Sequence, residues 1–311
     1  MTIGQLKEIQ KEIIRKNKKC NIITSIVLCF VIVLTIFIKS KYGFINNAFV
    51  LALIIETISI ILISFIIKMC VNGKDIAKFN EGFKKLFVND ALKSTFDDLE
   101  YNMDEGFSKT IIDQYSMLDT GDSFSSNDYI SGKYKGINFE QSDLFIEEKR
   151  VTTDSDGDTE VEWIPIFTGR YMIFDFNKIF KANVQVVSKN FYSHLFPWGK
   201  KYSTVKMEDA EFNKLFKVYT SMEHDAFYLL TPHFIDKIKT LYKQLNANIM
   251  LGFLDNRLHI AIDNGKDSFE YNVFKPINEK EIKDNIIKDI KLITDFVDEF
   301  NLDNDLFKKE N

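Results

Sequence analysis

The sequence predicts an α+β fold, in which an N-terminal two-helix transmembrane hairpin precedes a soluble domain with a mainly antiparallel β-sheet and packed helices. Three observations predict it. Two long apolar runs lie in the first 70 residues, strand-like alternation fills the middle of the chain, and helical periodicity returns near its end. The expected domains are a basic juxtamembrane helix over 1–21, the hairpin over 22–67 and an acidic α+β domain over 68–311.

The two apolar runs are each long enough to cross a bilayer. Residues 22–38 carry no formal charge over 17 positions, and residues 48–67 form 20 positions that are broken only by Glu56. A hydrocarbon core about 30 Å thick needs roughly 17–25 helical residues. Residues 3–19 place apolar side chains at helical spacing among cations, which predicts a juxtamembrane helix, with an interfacial anchor helix as the alternative.

Cations beside the apolar runs predict the orientation of the hairpin. Six lysines and arginines lie before the first run, five lie in the 20 residues after the second run, and two lie in the connecting loop. Because cation-rich flanks stay in the cytoplasm, both termini are expected there. The expected location is the cell membrane, with a multi-pass topology and the lipid bilayer as one partner.

Charge and cysteine content limit the functions of the soluble domain. The whole chain has a net charge of −5, but residues 72–311 carry 31 bases and 42 acids, a net −11. Such a domain is not expected to bind nucleic acid, which requires cations. The three cysteines of the chain, Cys20, Cys29 and Cys70, lie in or beside the apolar runs, so residues 72–311 have no disulfide framework and no thiol nucleophile.

Glu56 is the candidate functional residue of the membrane segment. An ionised carboxylate near the middle of a span costs a few kcal/mol. A proton or ion site, or a contact with another subunit, is one interpretation. A protonated or hydrogen-bonded side chain that faces Thr24, Ser25 or Thr35 is the other.

Behind the membrane segment, apolar spacing predicts helices from Asp75 to about Leu99 and over Ser108–Leu118, followed by a polar loop over Asp119–Asp128. After this loop, apolar and polar side chains alternate with a period of two residues, which predicts antiparallel strands. These predicted strands are Tyr129–Tyr134, Ile137–Thr153, Glu160–Asn177 and Ala182–Phe191.

The C-terminal third is expected to mix helices and strands. The expected elements are a helix over Met207–Leu215, a strand over Phe216–Thr220, a helix opened by Thr231 and Pro232, a hairpin of Ile249–Leu254 and Arg257–Asp263 around Asp255-Asn256, a third strand over Ser268–Val273, and a final helix opened by Pro276 and Asn278.

Motifs for familiar chemistries are missing from the sequence. Asp154–Glu160 has acids at alternate positions, but an EF-hand would need glycine at the position of Thr159 and glutamate at that of Pro165. The four histidines have no spacing suited to a shared metal. There is no nucleophile elbow, phosphate-binding glycine loop or HExxH helix. No catalytic, cofactor-binding or metal residue is therefore expected, and an enzyme with an unrecognised site is the least favoured alternative.

An aromatic loop is the candidate surface for a protein partner. It carries Phe191, Tyr192, Phe196 and Trp198 around His194. Exposed aromatic side chains could dock a partner or dip into lipid headgroups, and the alternative is that they fold back over the sheet as core.

Several of these segments resemble a bacterial family called domain of unknown function 3137. The resemblance lies in Ser126–Gly136, Phe167–Gly169, Met207–Val218 and Ala226–Pro232, and it covers roughly residues 75–305. The resemblance implies no catalytic residue. Two N-terminal spans are common in the family, and its members often appear near LemA-type membrane proteins, which implies a membrane-associated assembly.

The expected function is that of a membrane-tethered interaction or scaffold module on the cytoplasmic face, with an unidentified membrane or cytosolic protein partner. The alternative is an accessory or regulatory subunit of a transporter or channel assembly, in which Glu56 makes a helix–helix contact. A homo-oligomer is compatible with both.

Overall fold

The computed structural model describes residues 1–42, 47–153, 157–175, 181, 183–191 and 202–302. Within the helices, the side chains of 35, 38, 39, 41, 42, 47–54, 56, 63 and 65–72 lie outside that description. The chain divides into two compact units. The first comprises Met1–Val88 and Glu270–Ile282, and the second comprises Asn89–Phe269 and Lys283–Asn311.

Two long helices dominate the first unit, α1 (Ile3–Tyr42) and α2 (Asn47–Phe83), and a π-helical turn follows at Lys84–Val88. Lys16 Nζ lies 2.5 Å from Asp75 Oδ2, and Thr24 shares a hydroxyl hydrogen bond with Ser64. The two helices therefore run antiparallel. The predicted juxtamembrane helix over residues 3–19 is the N-terminal part of α1.

By length and composition, one helix in the described part of the chain could cross a membrane, over Ile3–Leu34. A signal sequence would satisfy the same criteria. Much of the second apolar run falls on side chains outside the description, so the predicted two-span hairpin remains a prediction.

The predicted strand Ser268–Val273 is wrong, since these residues form turns and irregular backbone. Phe269 has a φ of +57°, which does not suit a strand. In the first unit, Gln10 Nε2 donates to the backbone oxygens of Val273 and Lys275, at 2.9 and 2.6 Å. A side chain therefore satisfies carbonyl groups that a neighbouring strand would otherwise pair.

The described strands of the second unit form one antiparallel sheet, in the order β1-β2-β3-β4-β9-β8-β5-β7-β6. Their bounds are β1 Asp97–Asn102, β2 Ser123–Tyr134, β3 Ile137–Thr153, β4 Thr159–Asp175, β5 Val184–Ser188, β6 Ser203–Val205, β7 Phe216–Thr220, β8 Asn248–Leu254 and β9 Arg257–Asp263. The α+β class and the antiparallel sheet are therefore confirmed.

Helices cover both faces of this sheet. They are α3 Asn89–Thr95, α4 Lys109–Tyr115, α5 Ala210–Leu215, α6 Glu223–Leu229, α7 Pro232–Leu245 and α8 Glu279–Phe300. Phe296 of α8 packs on Phe174, and Phe234 of α7 packs on Phe253. On the opposite face, a core that includes Tyr171, Ile173 and Met250 contacts Met117, which follows α4.

Two boundaries differ from the prediction by four residues or more. The helix expected to reach Leu99 ends at Thr95, and Leu99 lies in β1, a charged edge strand. The polar loop expected over Asp119–Asp128 is shorter, because β2 begins at Ser123 and pairs with Glu147 of β3. In both places, pairing with a neighbouring strand overrides the structure that the local sequence pattern predicts.

Candidate functional site: a buried carboxylate and arginine cluster

An ion pair is buried inside the second unit, between the two longest strands. Asp143 of β3 lies directly opposite Arg170 of β4 in the sheet register. Arg170 Nε lies 3.8 Å from Asp143 Oδ1, and the two residues are only 1% and 3% exposed. Buried charges persist only when they are paired and hydrogen-bonded, so the surrounding partners decide whether this pair is stable.

Ser268 connects the two charges. Arg170 Nε donates to Ser268 Oγ, and Ser268 Oγ donates to Asp143 Oδ1 at 3.0 Å. The backbone N–H of Ser268 donates to Asp143 Oδ2. The Ser268 hydroxyl therefore links the side chains of Asp143 and Arg170. It lies 125 residues along the chain from Asp143.

Asp289 of α8 closes the network from the other side. Arg170 Nη1 donates to the Asp289 backbone oxygen at 2.6 Å, and Nη2 lies 3.0 Å from its Oδ1. The Phe269 N–H donates to Asp289 Oδ2 at 3.2 Å. We call Asp143, Arg170, Ser268 and Asp289 the clasp, because together they fix the Ser268–Phe269 segment.

The clasp holds Phe269 in an uncommon backbone conformation. A positive φ is an outlier for a bulky residue, and such conformations cost about 1–3 kcal/mol. The Phe269 ring centre lies 5.1 Å from the Arg170 guanidinium carbon, and the residue is 1% exposed. Burial of the ring and the cation–π contact offset part of that cost.

Two further carboxylates adjoin the clasp. Asp128, Asp143 and Asp267 each offer an oxygen within 4.8 Å of the others. Tyr101 OH donates to Asp128 at 2.7 Å, and Asn127 Nδ2 donates to Asp128 at 3.2 Å and to Asp267 at 3.3 Å. Burial raises the pKa of Asp143, Asp267 raises it further, and Arg170 opposes both.

This set of groups has the chemistry of a structural network more than that of a reaction centre. Carboxylate oxygens suit hard cations, but the Arg170 guanidinium already supplies positive charge beside Asp143. The Ser268 hydroxyl is buried and engaged by both neighbours. What the arrangement can do is hold the chain at Phe269, where it leaves the second unit.

A second buried polar group lies on the opposite face of the sheet. Tyr171 OH lies 3.0 Å from His259 Nδ1, and the Tyr115 ring lies 4.3 Å from the His259 ring. Burial lowers the pKa of His259 to about 3 and raises that of Tyr171. Among the described residues, His259 Nε2 has no hydrogen-bond partner. The imidazole is therefore neutral at physiological pH.

Of the candidate residues predicted from the sequence, the structure describes the side chain of Phe191, which does not lie in either cluster. Phe191 is buried at 3% exposure and packs on Phe167, with ring centres 6.1 Å apart, so it belongs to the core and not to a docking surface. Tyr192, Phe196 and Trp198 lie outside the described residues, as does the side chain of Glu56.

Sequence reasoning missed the clasp because its members carry no shared motif. One signal was available. Arg170 interrupts a largely apolar part of β4, and a buried strand position with a charge requires a partner of opposite sign.

Taken together, the fold and the two clusters define an α+β protein with a long apolar N-terminal helix and a helix-covered antiparallel sheet. The family described as "Protein of unknown function (DUF3137)" matches residues 165–302. The family resemblance predicted from the sequence is thus confirmed over these residues, while Ser126–Gly136 lies outside the match. The match includes Arg170, Ser268 and Asp289 of the clasp but not Asp143.

Two further comparisons complete the description. The fold is similar to the crystal structure of the mycobacterial trehalose monomycolate transport factor A, TtfA, with a TM-score of 0.36 and 10% sequence identity, over 70% of this chain and 96% of that chain. No curated protein matches the chain.

Proposed function

We propose that this protein is a membrane-tethered interaction module, with a two-span helical anchor and the sheet-containing unit in the cytoplasm. One observation carries the proposal: the apolar side chains of α1 face outward. Seven of them are between 59% and 66% exposed, namely Ile22, Ile23, Ile26, Phe30, Val33, Ile36 and Phe37. Soluble proteins rarely expose a contiguous apolar surface of this kind, whereas a bilayer would cover it.

The second helix supports a hairpin anchor. Ile55, Ile58, Ile61 and Leu62 of α2 are each more than half exposed. The antiparallel contacts of α1 and α2 bring both termini of the pair to the same side. The cations that flank the two apolar runs then favour the cytoplasm for that side.

The interaction role is supported by the chemistry of the second unit. The described polar clusters are engaged in internal hydrogen bonds, and the clasp fixes backbone without presenting a free nucleophile. Binding of a partner therefore fits the described surface better than catalysis does.

Membrane extraction tests the anchor. The full chain is expected to stay with the membrane pellet at alkaline pH. Replacing Ile26, Phe30 and Val33 of the first run together with Ile58, Ile61 and Leu62 of the second run by lysine should release it. Lys18→Gln should not, since Lys18 lies outside the apolar runs. Recovery of the unaltered chain in the soluble fraction would contradict the proposal.

Cysteine labelling tests the orientation. Cys20, Cys29 and Cys70 are first replaced by serine, and one new cysteine is placed at Lys41 or at Ser94. In intact cells, an impermeant maleimide should label the first variant and not the second. Labelling of the Ser94 variant from outside would overturn the cytoplasmic placement.

An accessory role in a transporter or channel assembly is the second candidate, and the charged position in the second apolar run favours it. Glu56→Gln should then change the size of the complex extracted in mild detergent, while Ser59→Ala, three residues on, should not. An unchanged complex in the Glu56→Gln variant would remove this candidate.

A further inference from the structure

The distal half of the β3–β4 hairpin extends beyond the rest of the sheet. β2 pairs with β3 only as far as Glu147, and β9 pairs with β4 only from Gly169 onward. Residues 148–153 and 159–164 pair with each other and, within the described chain, with no other strand. At about 3.3 Å per residue, this β3–β4 arm projects roughly 20 Å.

One face of the arm carries exposed apolar side chains. Val151 lies directly opposite Val161, and Trp163 lies opposite Lys149. Val151, Val161 and Trp163 are 55%, 49% and 47% exposed. Phe145 lies on the same side of β3 by the two-residue period and is 37% exposed. A two-stranded ribbon is only marginally stable in water, so a partner that covers this stripe would stabilise it.

The arm is strongly acidic. Residues 148–167 carry six acids and two bases, a net −4. Oε2 of Glu148 is buried and, among the described residues, has no hydrogen-bond partner. A buried carboxylate oxygen without a donor is unfavourable. A cationic side chain from a partner would satisfy it.

These features select the chemistry of the partner. A second copy of the arm would bring a net −4 against a net −4, and an anionic lipid surface or nucleic acid would also be repelled. The outer edge of β4 in the arm offers backbone groups to an extended chain, whereas at the β3 edge the Lys149 N–H already donates to Asp122 Oδ2 at 2.8 Å. Pro165 lacks an N–H and limits pairing at its own position in β4.

We infer that the β3–β4 arm is a docking site for an extended, basic segment of a partner protein, with lysine or arginine alternating with apolar residues. The apolar side chains cover Val151, Val161 and Trp163, and the cations reach the acids on the flanks. This inference deepens the proposed interaction role by naming its surface and the class of partner.

A synthetic probe tests the inference on the full chain in detergent. The probe is a fluorescent decapeptide of alternating lysine and valine, and its control alternates glutamate and valine. We expect the first to bind and the second not to. Glu160→Lys with Glu162→Lys should weaken binding about tenfold or more. Glu100→Lys with Glu208→Lys changes the net charge equally at exposed sites outside the arm and should change affinity by less than about twofold.

A second variant separates the apolar contribution. Val151→Thr with Val161→Thr keeps β-branched side chains and should weaken binding about fivefold, with thermal unfolding unchanged. Equal binding of both peptides, absence of binding, or equal affinity in the Glu160→Lys/Glu162→Lys protein would overturn the inference. Because binding is measured in detergent, a chain that binds the probe but leaves the membrane fraction would contradict only the membrane anchor.

Discussion

Arg170 binds both the backbone and the side chain of Asp289, through Nη1 at 2.6 Å and Nη2 at 3.0 Å. Helix α8 is thereby attached to the middle of β4 at one residue. The same guanidinium also faces Asp143, so its removal would leave two carboxyl groups, those of Asp143 and Asp289, without their cation. Removal of one partner from a buried ion pair typically costs about 3–5 kcal/mol.

We therefore predict that Arg170→Met lowers the free energy of unfolding by about 3 kcal/mol or more. Arg257→Met is the matched control. Arg257 is partly exposed and lies 3.4 Å from Glu140, so its loss should cost less than about 1 kcal/mol. Urea unfolding of the full chain in detergent measures both values. Equal stability of the two variants would contradict the assignment of Arg170 as the centre of the clasp.

The pKa of Asp143, which burial raises to about 8, predicts a loss of stability toward alkaline pH. The folded state holds this proton more tightly than the unfolded state, where the carboxyl titrates near 3.9. Its stabilising contribution is therefore full below about pH 4 and is lost as pH rises toward 8. The charged groups around it are Asp128, Asp267, Arg170 and Asp289.

Asp267→Asn tests this directly, because it removes the neighbouring carboxyl group that raises the pKa of Asp143. The variant should match the parent protein at pH 5 and melt a few degrees higher at pH 8. Asp104→Asn, an exposed acid of the same unit, should leave the difference between the two pH values unchanged. An identical dependence of stability on pH in the Asp267→Asn protein would refute the role of the raised pKa of Asp143.

Much of this fold could be predicted from residues that are neighbours in the sequence. Contacts between residues that lie far apart in the chain could not be predicted in this way. Thr231 accepts a hydrogen bond from Phe234 N and caps α7, and Asp255 and Asn256 both have positive φ in the predicted two-residue turn. These features depend on neighbouring residues. The clasp depends on Asp143 and Ser268, 125 residues apart, and only the sheet register brings them together.

Leu99 and Ser268 show why other predictions failed. Leu99 continues a helical spacing, yet the chain turns at Asp98, where φ is +48°, and pairs with β2. Ser268–Val273 has the alternation of a strand, but side chains capture its backbone groups. In both cases a tertiary contact overrides a local pattern, which a single sequence does not reveal.

Because the His259 imidazole is buried in its neutral form, we expect the protein to lose stability at acidic pH. Burial lowers the pKa of His259 to about 3 in the folded protein, against about 6.5 when unfolded. The contribution of neutral His259 to the free energy of unfolding is therefore full above pH 6.5 and declines as pH falls toward 3. Each pKa unit corresponds to about 1.4 kcal/mol, so the loss between pH 6.5 and 5 is about 2 kcal/mol.

His259→Gln keeps an acceptor for Tyr171 OH and removes the titration. Its stability relative to the parent protein should rise by about 2 kcal/mol between pH 6.5 and 5. His224→Gln is the control, because His224 is exposed at the start of α6. Equal acid sensitivity of the parent and His259→Gln proteins would show that the buried imidazole is not responsible.

Gly252 makes room for Met117 above the sheet. In the register, Gly252 lies between His259 of β9 and Gln185 of β5. A Cβ atom at Gly252 would overlap the Sδ atom of Met117. Met117 is fully buried, and its backbone oxygen accepts from Gln185 Nε2 at 3.3 Å. Movement of this side chain would therefore disturb the packing of α4 on the sheet.

We predict that Gly252→Ala lowers the free energy of unfolding by about 1–3 kcal/mol, the usual cost of an overpacked core. Gly4→Ala is the control, since its nearest new contact is at 3.8 Å in helix α1, and alanine there should be neutral or stabilising. Met117→Ala alone leaves a cavity, but in the double variant the new methyl group has space. The double variant should therefore be more stable than the sum of the single effects predicts. Additive effects, or an unchanged Gly252→Ala protein, would mean that Met117 does not require the glycine.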